Sequence, residues 1–399
     1  MATWLMLGPM DLAMRSLPRL PLARPMRPMP RHLRALRTTA RTAATSAFPA
    51  AACATAATAF AAKAAARTRQ LPRSGKRLGT HSGSFQADEA LACWMLRQLP
   101  RFAHCEILRT RDPRLLDQMD VVVDVGDIYD PERLRFDHHQ RGFFATADGG
   151  PEAEGRWKTR LSSAGLIYKH FGRDIIQQLA GTDKEDTELV WAEVYERFVE
   201  SVDAIDNGVE AYEGAPRFKE MTGLALRVAR LNPRWNETCE KAELQRRFEA
   251  ASALCGAEFL EALSEVVESW LPARDLVLRA MEKQNATHGS GQVLQLPSGK
   301  LPWRGHLFQL ERELDIEGHI KFVVYYQDEE RIWRVRAVPV EGASFTSRVL
   351  LPEPWRGLRD SRLAEVSGIP GCVFAHVNGF IGGNETLAGA IAMAEASLE

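Results

Sequence analysis

The chain has 399 residues, room for two ordinary domains and a core that needs no covalent staples. Its net charge of −1 conceals a division: residues 1–76 hold 11 Arg and 2 Lys against the single acid Asp11, leaving 38 basic against 51 acidic residues in the rest. So acidic a body disfavours tight non-specific binding to long nucleic acids, which rests on Lys and Arg neutralising phosphates; any grip on a polynucleotide must be local, supplied by metal ions and a few arginines. The six cysteines (Cys53, Cys93, Cys105, Cys239, Cys255, Cys372) form no C-x-x-C pair, which argues against a zinc knuckle and a secreted disulfide framework and for a reducing interior. No stretch offers the ~20 apolar residues that would span a bilayer.

Residues 1 to about 70 are rich in Arg, Ala, Ser and Thr, with Arg31, Arg34, Arg37 and Arg41 at helical spacing beside Leu33 and Leu36. That is the composition of a mitochondrial transit peptide; the other reading is a disordered tail with no address. Order is expected to begin near Arg77. Leu78 to Leu91 reads as a short strand, a Gly-rich turn and a helix, with Asp88 in the first helical turn and Leu91, Met95 and Leu99 on the apolar face. Glu106–Arg109 and Asp120–Val125 read as the next strands, and the βαβ alternation predicts a parallel sheet.

Val121-Val122-Val123-Asp124-Val125-Gly126 is the pattern of a buried strand closed by glycine, which places Asp124 at a carboxyl end, where ligands gather in open α/β sheets. A dozen residues later comes Asp137-His138-His139. Taken singly, Asp124 is a turn or cap residue and the His pair a surface accident; together at this spacing they read as a metal site. Leu161 to Tyr168 opens a helix capped by Ser162 or Ser163, and a longer helix from Glu185 ends in Asp203-Ala204-Ile205-Asp206-Asn207-Gly208. There Asp203 and Asp206 share a face, as a solvated helix end or as part of the same site. Residues 242–282 are helical, 284–291 mark a boundary, and later strands suggest a second, mixed sheet. Gly382-Gly383 before an Ala-rich helix reads as a turn able to hold a phosphate, or only as a tight turn.

The collected groups, His81, Asp88, Asp124, Asp137, His138, His139, Asp203 and Asp206, come from too many segments for one ion. A bridging carboxylate such as Asp124 would hold two metals about 3.5–4 Å apart, which favours hydrolysis of phosphoesters or phosphoanhydrides. Mixed Asp/His donors suit Mn²⁺. No nucleophile motif and no phosphate-binding Gly-x-x-x-x-Gly-Lys loop is present.

Asp137-His138-His139 with Asp124 upstream and a His/Asp motif at the start resembles the DHH phosphoesterase superfamily, which includes RecJ-type nucleases and manganese pyrophosphatases. More closely, Gly79-Thr80-His81, Asp88 to Cys93, Arg109 to Pro113, Tyr129-Asp130-Pro131, Phe136 to Arg141, Val202 to Gly208, Ala229 to Pro233, Ser269 to Arg274 and the final Gly-Phe-Ile-Gly-Gly are similar to the Myg (melanocyte proliferating gene) family, from Arg77 to the end. The resemblance implies an α/β fold in which a DHH-type parallel-sheet catalytic domain (77–283) is followed by a smaller mixed α+β DHH-associated, substrate-binding domain (284–399); composition makes residues 1–76 the transit peptide and low-complexity segment. The resemblance also implies a metal-dependent 3′–5′ RNA exonuclease of mitochondrion and nucleus, with Mn²⁺ or Mg²⁺ as cofactor and RNA as partner.

Carried over position by position, the motifs imply His81, Asp88, Asp124, His138 and Asp206 as metal ligands, with Asp203 as a further candidate. Asp137 would orient an imidazole and His139 would face the scissile phosphate. Arg227, Arg230 and Arg234 would pair with phosphates or form a solvated basic face; Trp235, Trp270, Trp303 and Trp355 would stack on bases or pack in the core. The superfamily's Gly-Gly-His is here Gly382-Gly383-Asn384, so only amide hydrogen bonds are on offer to substrate. Similar sequences carry a His where this one has Gln86, which implies either a more weakly held metal or an impaired copy. A small-molecule phosphohydrolase acting on pyrophosphate or a dinucleotide, and a non-catalytic scaffold, are the alternatives to the nuclease.

Overall fold

Short runs of Leu, Ile and Val, each flanked by polar or glycine residues, build the first sheet. Its strands are β1 (Arg77–Thr80), β2 (Glu106–Arg109), β3 (Val121–Val123), β4 (Tyr129–Asp130) and β5 (Arg135–Phe136), in spatial order β2-β1-β3-β5-β4. β1 runs parallel to β2 and β3, and β3 parallel to β5; only the edge strand β4 is antiparallel. The α/β architecture with a parallel-rich sheet is therefore as the alternation predicts. The computed structural model describes residues 52–399 except 150–154, 216, 288 and 344, and the arginine-rich stretch read as a transit peptide lies outside the described residues.

Order begins earlier than Arg77. Helix α1 (Ala52–Arg69) falls inside the segment read as leader and low complexity, yet it is folded, with Phe60 and Ala64 buried in the main core. Alanine is the best helix former, so a composition that reads as low complexity also reads as helix once a surface is available to pack on. The Arg67 guanidinium donates to the carbonyl of Leu179 at 2.8 Å, and the Thr68 hydroxyl donates to Gln98 Oε1 at 2.9 Å.

Helix α2 (Ala87–Arg97) connects β1 to β2 and buries Leu91, Met95 and Leu96. Helix α3 (Ser163–Ala180) starts at Ser162, as expected of a Ser cap, and stops at Gly181, whose φ of +73° closes the helix in the left-handed region. Then α4 (Lys184–Val194), a π turn (Tyr195–Val199) and α5 (Glu200–Asp206) follow one another, and Gly208 at φ +68° ends the run. After α6 (Leu224–Ala229), the long helical stretch divides into α7 (Lys241–Glu265), a second π turn (Val266–Trp270) and α8 (Leu271–Glu282). Pro272, which lacks an N–H, lies just after the second π turn, in the first turn of α8.

The second sheet holds β6 (Val293–Gln295), β7 (Phe322–Gln327), β8 (Ile332–Ala337), β9 (Cys372–Ala375) and β10 (Ile381–Asn384), in the order β6-β7-β8-β10-β9. It is mixed, as expected: β6 and β7 are parallel and the other pairs antiparallel. Helices α9 (Trp303–Glu313), α10 (Asp360–Ser367) and α11 (Leu387–Glu395) accompany it. Gly382 and Gly383 form no turn. They lie inside β10, paired on both sides, because a Cβ on Gly382 would come within 3.0 Å of Leu351, Met393 and the Phe374 carbonyl, and one on Gly383 within 2.8 Å of the Phe374 ring.

Inside this half, His306 of α9 is fully buried, and its Nε2–H donates to the Trp270 carbonyl at 2.8 Å. Burial holds its pKa down at about 4, against an ordinary 6.5. The folded state thus resists a proton that the unfolded chain accepts: the stabilisation is whole above pH 6.5 and lost as pH falls toward 4. At 1.36 kcal/mol per unit this amounts to about 2 kcal/mol between pH 7 and pH 5. In denaturant titrations at those two pH values, a His306→Gln protein should lose that much less stability than the wild type.

Candidate metal centre

The carboxyl ends of β1, β3 and β5 deliver the reactive side chains to one place. His81 follows β1, Asp124 follows β3, and Asp137, His138 and His139 follow β5; Asp88 and Glu89 lie in the first turn of α2, Asp206 at the end of α5. Asp124 has a φ of +57°, a left-handed backbone that Asp tolerates better than most residues, and its N–H still donates to the Phe136 carbonyl at 3.1 Å. The strand thereby stops while the backbone that carries its last carboxylate remains tied to the neighbouring strand.

Three overlapping sets of ligand atoms result, each within 4.8 Å: His81, Glu89 and Asp124; Asp124, Asp137, His138 and His139; and Asp88, His138 and Asp206. His81 Nε2 lies 3.0 Å from Glu89 Oε1 and 3.4 Å from Asp124 Oδ2. His138 Nε2 is 3.1 Å from Asp206 Oδ2, and its Nδ1 is 3.2 Å from the Ser163 hydroxyl. Asp124 and His138 each belong to two sets, so the sets form a chain. Asp137 accepts hydrogen bonds from the Asp127 and His139 backbone N–H groups and, at 2.7 Å, from His139 Nδ1. That ring stacks on His138 with centroids 4.2 Å apart and remains 57% exposed.

Behind this face stands a second row. Asp88 is buried and accepts from the Ser162 hydroxyl at 2.6 Å, the Ala164 N–H at 2.5 Å and the Ser163 N–H at 3.2 Å, the last two at the start of α3. Asp203 accepts from the Ser162 hydroxyl at 2.7 Å, the Ser162 N–H at 2.9 Å and the Tyr195 hydroxyl at 2.9 Å. Ser162 has one hydroxyl hydrogen and stands between two carboxyl oxygens, so one of the two carboxyls carries a proton. Burial raises both, Asp203 to about 7 and Asp88 well above the ordinary carboxylate range, so the pair holds a proton between them at neutral pH.

The electrostatics fit a cation. Burial raises the Asp88 carboxyl well above the ordinary range, and the charges of Asp124 and Asp206 add to it. Burial also raises Glu89. Burial alone would keep His81 neutral, but its contacts with Asp124 and Glu89 lift it to about 10; His138 is raised in the same way, burial being overridden by Asp206. Protonated imidazoles here do for crowded carboxylates what a divalent ion would do, and metal binding would release those protons. The donor set, carboxylate oxygens with imidazole nitrogens, is one that holds such ions.

Of the residues predicted from sequence, His81, Asp88, Asp124, Asp137, His138, His139 and Asp206 converge. Asp203 does not join them: helix α5 turns it toward Tyr195 and Ser162, while Asp206 reaches His138. Gln86 is exposed; its N–H is held by Glu89 Oε1 at 2.9 Å. Asn384 is fully buried and spends its amide on the Pro370 carbonyl and Thr386, so it is not available to a substrate. Arg227 pairs with Glu258 at 2.8 Å. Trp270, Trp303 and Trp355 are core residues, whereas Trp235 is exposed. Glu89 was missed. Three residues after Gln86 it reads as an ordinary N3 acid of a helix start, and only the approach of His81 shows its second role.

A buried chain of carboxylates and imidazoles across the ends of parallel strands defines an α/β protein with a centre whose donors could hold metal ions. The family described as uncharacterised protein family UPF0160, the MYG1 exonuclease family, matches residues 77–398. The chain is 50% identical to "MYG1 exonuclease" of Mus musculus over 81% of its own length and 84% of the relative's, and 50% identical to "MYG1 exonuclease" of Homo sapiens over 81% and 85%. It is 47% identical to the "MYG1 protein" of Dictyostelium discoideum, over 79% of this chain and 94% of that one. This chain belongs to the MYG1 family. Magnesium-bound RecJ from Thermus thermophilus aligns at 16% identity and a TM-score of 0.20, covering 86% of this chain and 52% of RecJ, a likeness too slight to build on.

The two aspartates of α5 should separate cleanly in calorimetric Mn²⁺ titrations. Asp206→Asn should weaken binding by roughly tenfold or more, as loss of a ligand does. Asp203→Asn, which can still meet Ser162 and Tyr195, should bind more tightly than Asp206→Asn. Equal losses would return Asp203 to the ligand set.

Proposed function

We propose that this protein is a metal-dependent 3′–5′ RNA exonuclease that holds Mn²⁺ and works in the mitochondrial matrix and the nucleus. The observation that carries the hydrolase reading is Asp124, whose carboxylate is shared by two ligand sets, the arrangement a pair of cations requires. Exonucleolytic action is supported by the relatives named MYG1 exonuclease. The choice of RNA, the 3′–5′ direction and the nuclear compartment rest on the motif resemblance. The matrix rests on the Arg-rich, acid-poor composition of residues 1–76 as well.

Bound divalent cations would supply an activated water and offset the charge developing on the phosphate. The chain's own side chains do the rest. Asp137 fixes the His139 ring through Nδ1, so the exposed Nε2 faces outward, where it can pass a proton to the leaving 3′ oxygen. Ser162 and the α3 backbone hold Asp88 in one orientation. Gln86 supplies no imidazole, but the Glu89 carboxylate stands beside His81, which supports weakened metal binding in place of a dead site.

Full-length protein with Mn²⁺, given labelled RNA, a dinucleotide and pyrophosphate in parallel, should release mononucleotides from the RNA 3′ end. Asp124→Asn should lower that rate by about a hundredfold or more. The acidic body favours one second reading, a small-molecule phosphohydrolase, and turnover of the small substrates alone would establish it in place of the nuclease. Gln86→His should raise Mn²⁺ affinity; an unchanged affinity would remove position 86 from the ligand set.

A further inference from the structure

Residues 207–236 span from one side of the metal centre to another. At one end, Asp206 touches His138; near the other, Asn232 clamps the backbone of Phe85, with Oδ1 accepting the Phe85 N–H at 2.9 Å and Nδ2 donating to its carbonyl at 2.8 Å. Phe85 precedes Gln86, whose N–H is held by the site residue Glu89. Within the span, α6 buries Val228, but much of what flanks it is apolar and exposed: Phe218 is 77% and Trp235 97% exposed, with Val209, Tyr212 and Met221 also at the surface.

Charge is unusual here too. Residues 217–236 carry Arg217, Lys219, Arg227, Arg230 and Arg234 against the single acid Glu220, within a body that is otherwise acidic. Arg230 donates to the carbonyls of Leu226 and Met221, and its charge is felt by the exposed Glu220 carboxylate, with no direct ion pair between them among the described residues. Arg230 and Arg234 line, with Asn232, Asn236, Glu237 and Arg247, a cleft of about 450 Å³. An exposed aromatic beside cations over a cleft is the composition that binds single strands, bases stacking on the ring and phosphates meeting the guanidinium groups.

We propose that residues 217–236 are the platform on which single-stranded RNA lies as its end enters the metal centre, with Trp235 stacking on a base and Arg230 and Arg234 meeting phosphates. This rests on the exonuclease reading for the identity of the polymer. Its test does not depend on turnover. Binding of a short labelled single-stranded RNA to full-length protein in EDTA, followed by fluorescence anisotropy, reads the platform alone. Protein that binds RNA through Trp235 but hydrolyses none would sink the nuclease proposal and leave this one standing.

Trp235→Ala should weaken RNA binding roughly tenfold, the worth of one stacked base, with no change in melting temperature. Arg234→Ala should flatten the dependence of log affinity on log salt by about 0.7, one phosphate on a single strand. Phe345→Ala, at an equally exposed aromatic elsewhere, should bind as wild type does. Wild-type protein that binds no RNA overturns the platform, as does a Trp235→Ala protein of unchanged affinity. If that unchanged affinity comes with a dimer falling apart in sedimentation, the face belongs to a second copy of the chain.

Discussion

Carboxylates crowded and buried within 4.8 Å of one another are the constraint around which this fold is arranged. An uncompensated buried charge costs several kcal/mol, so each must be held by more than one partner. Asp88 shows the means: two backbone N–H groups at the positive end of α3 and a serine hydroxyl converge on it. Asp137 is held by two backbone N–H groups and an imidazole, and Asp203 by the Tyr195 hydroxyl, the Ser162 N–H and the hydroxyl it shares with Asp88. The sheet sets where these groups begin; the helix starts decide which way they face.

The π turn before α5 belongs to the same arrangement. In an unbroken α-helix the eight residues from Tyr195 to Asp203 would turn through about 800°, leaving the two side chains roughly 80° apart. A π turn absorbs about one extra residue, so the rotation falls near 700° and the two come onto one face. The turn at Tyr195–Val199 thus lets the tyrosine hydroxyl reach the Asp203 carboxylate along its own helix. Asp206 is left one face over, aimed at His138.

The first sheet was legible because its strands are short β-branched or Leu-bearing runs with turn residues on each side, and because Asp124 and the Asp-His-His triplet sit where strands end. Ser162 was legible as a cap for the same local reason. What escaped is what depends on tertiary approach. Asp203 and Asp206 have one helical spacing and two fates, decided by a π turn that leaves no mark in the residue pattern. Glu89 is an ordinary helix-start acid until His81 comes alongside. Gly382 and Gly383 look like a turn, but the missing side chains serve close packing between strands and α11. Helix α1 was hidden by an alanine-rich composition that is equally at home in disorder and in a helix waiting for a partner.

That first helix limits where the chain could be cut without loss. The family's match begins at residue 77, while Phe60 and Ala64 already fill a seam between α3 and α7, and Arg67 closes over the last carbonyls of α3. A cut upstream of Ala52 would leave this seam intact. One between Gln70 and Arg77 would strip an aromatic and a row of small residues from that seam, baring apolar surface beside the helix that presents Ser162 and Ser163 to the carboxylates. The place of such a cut and the packing beside the centre are therefore mechanically joined.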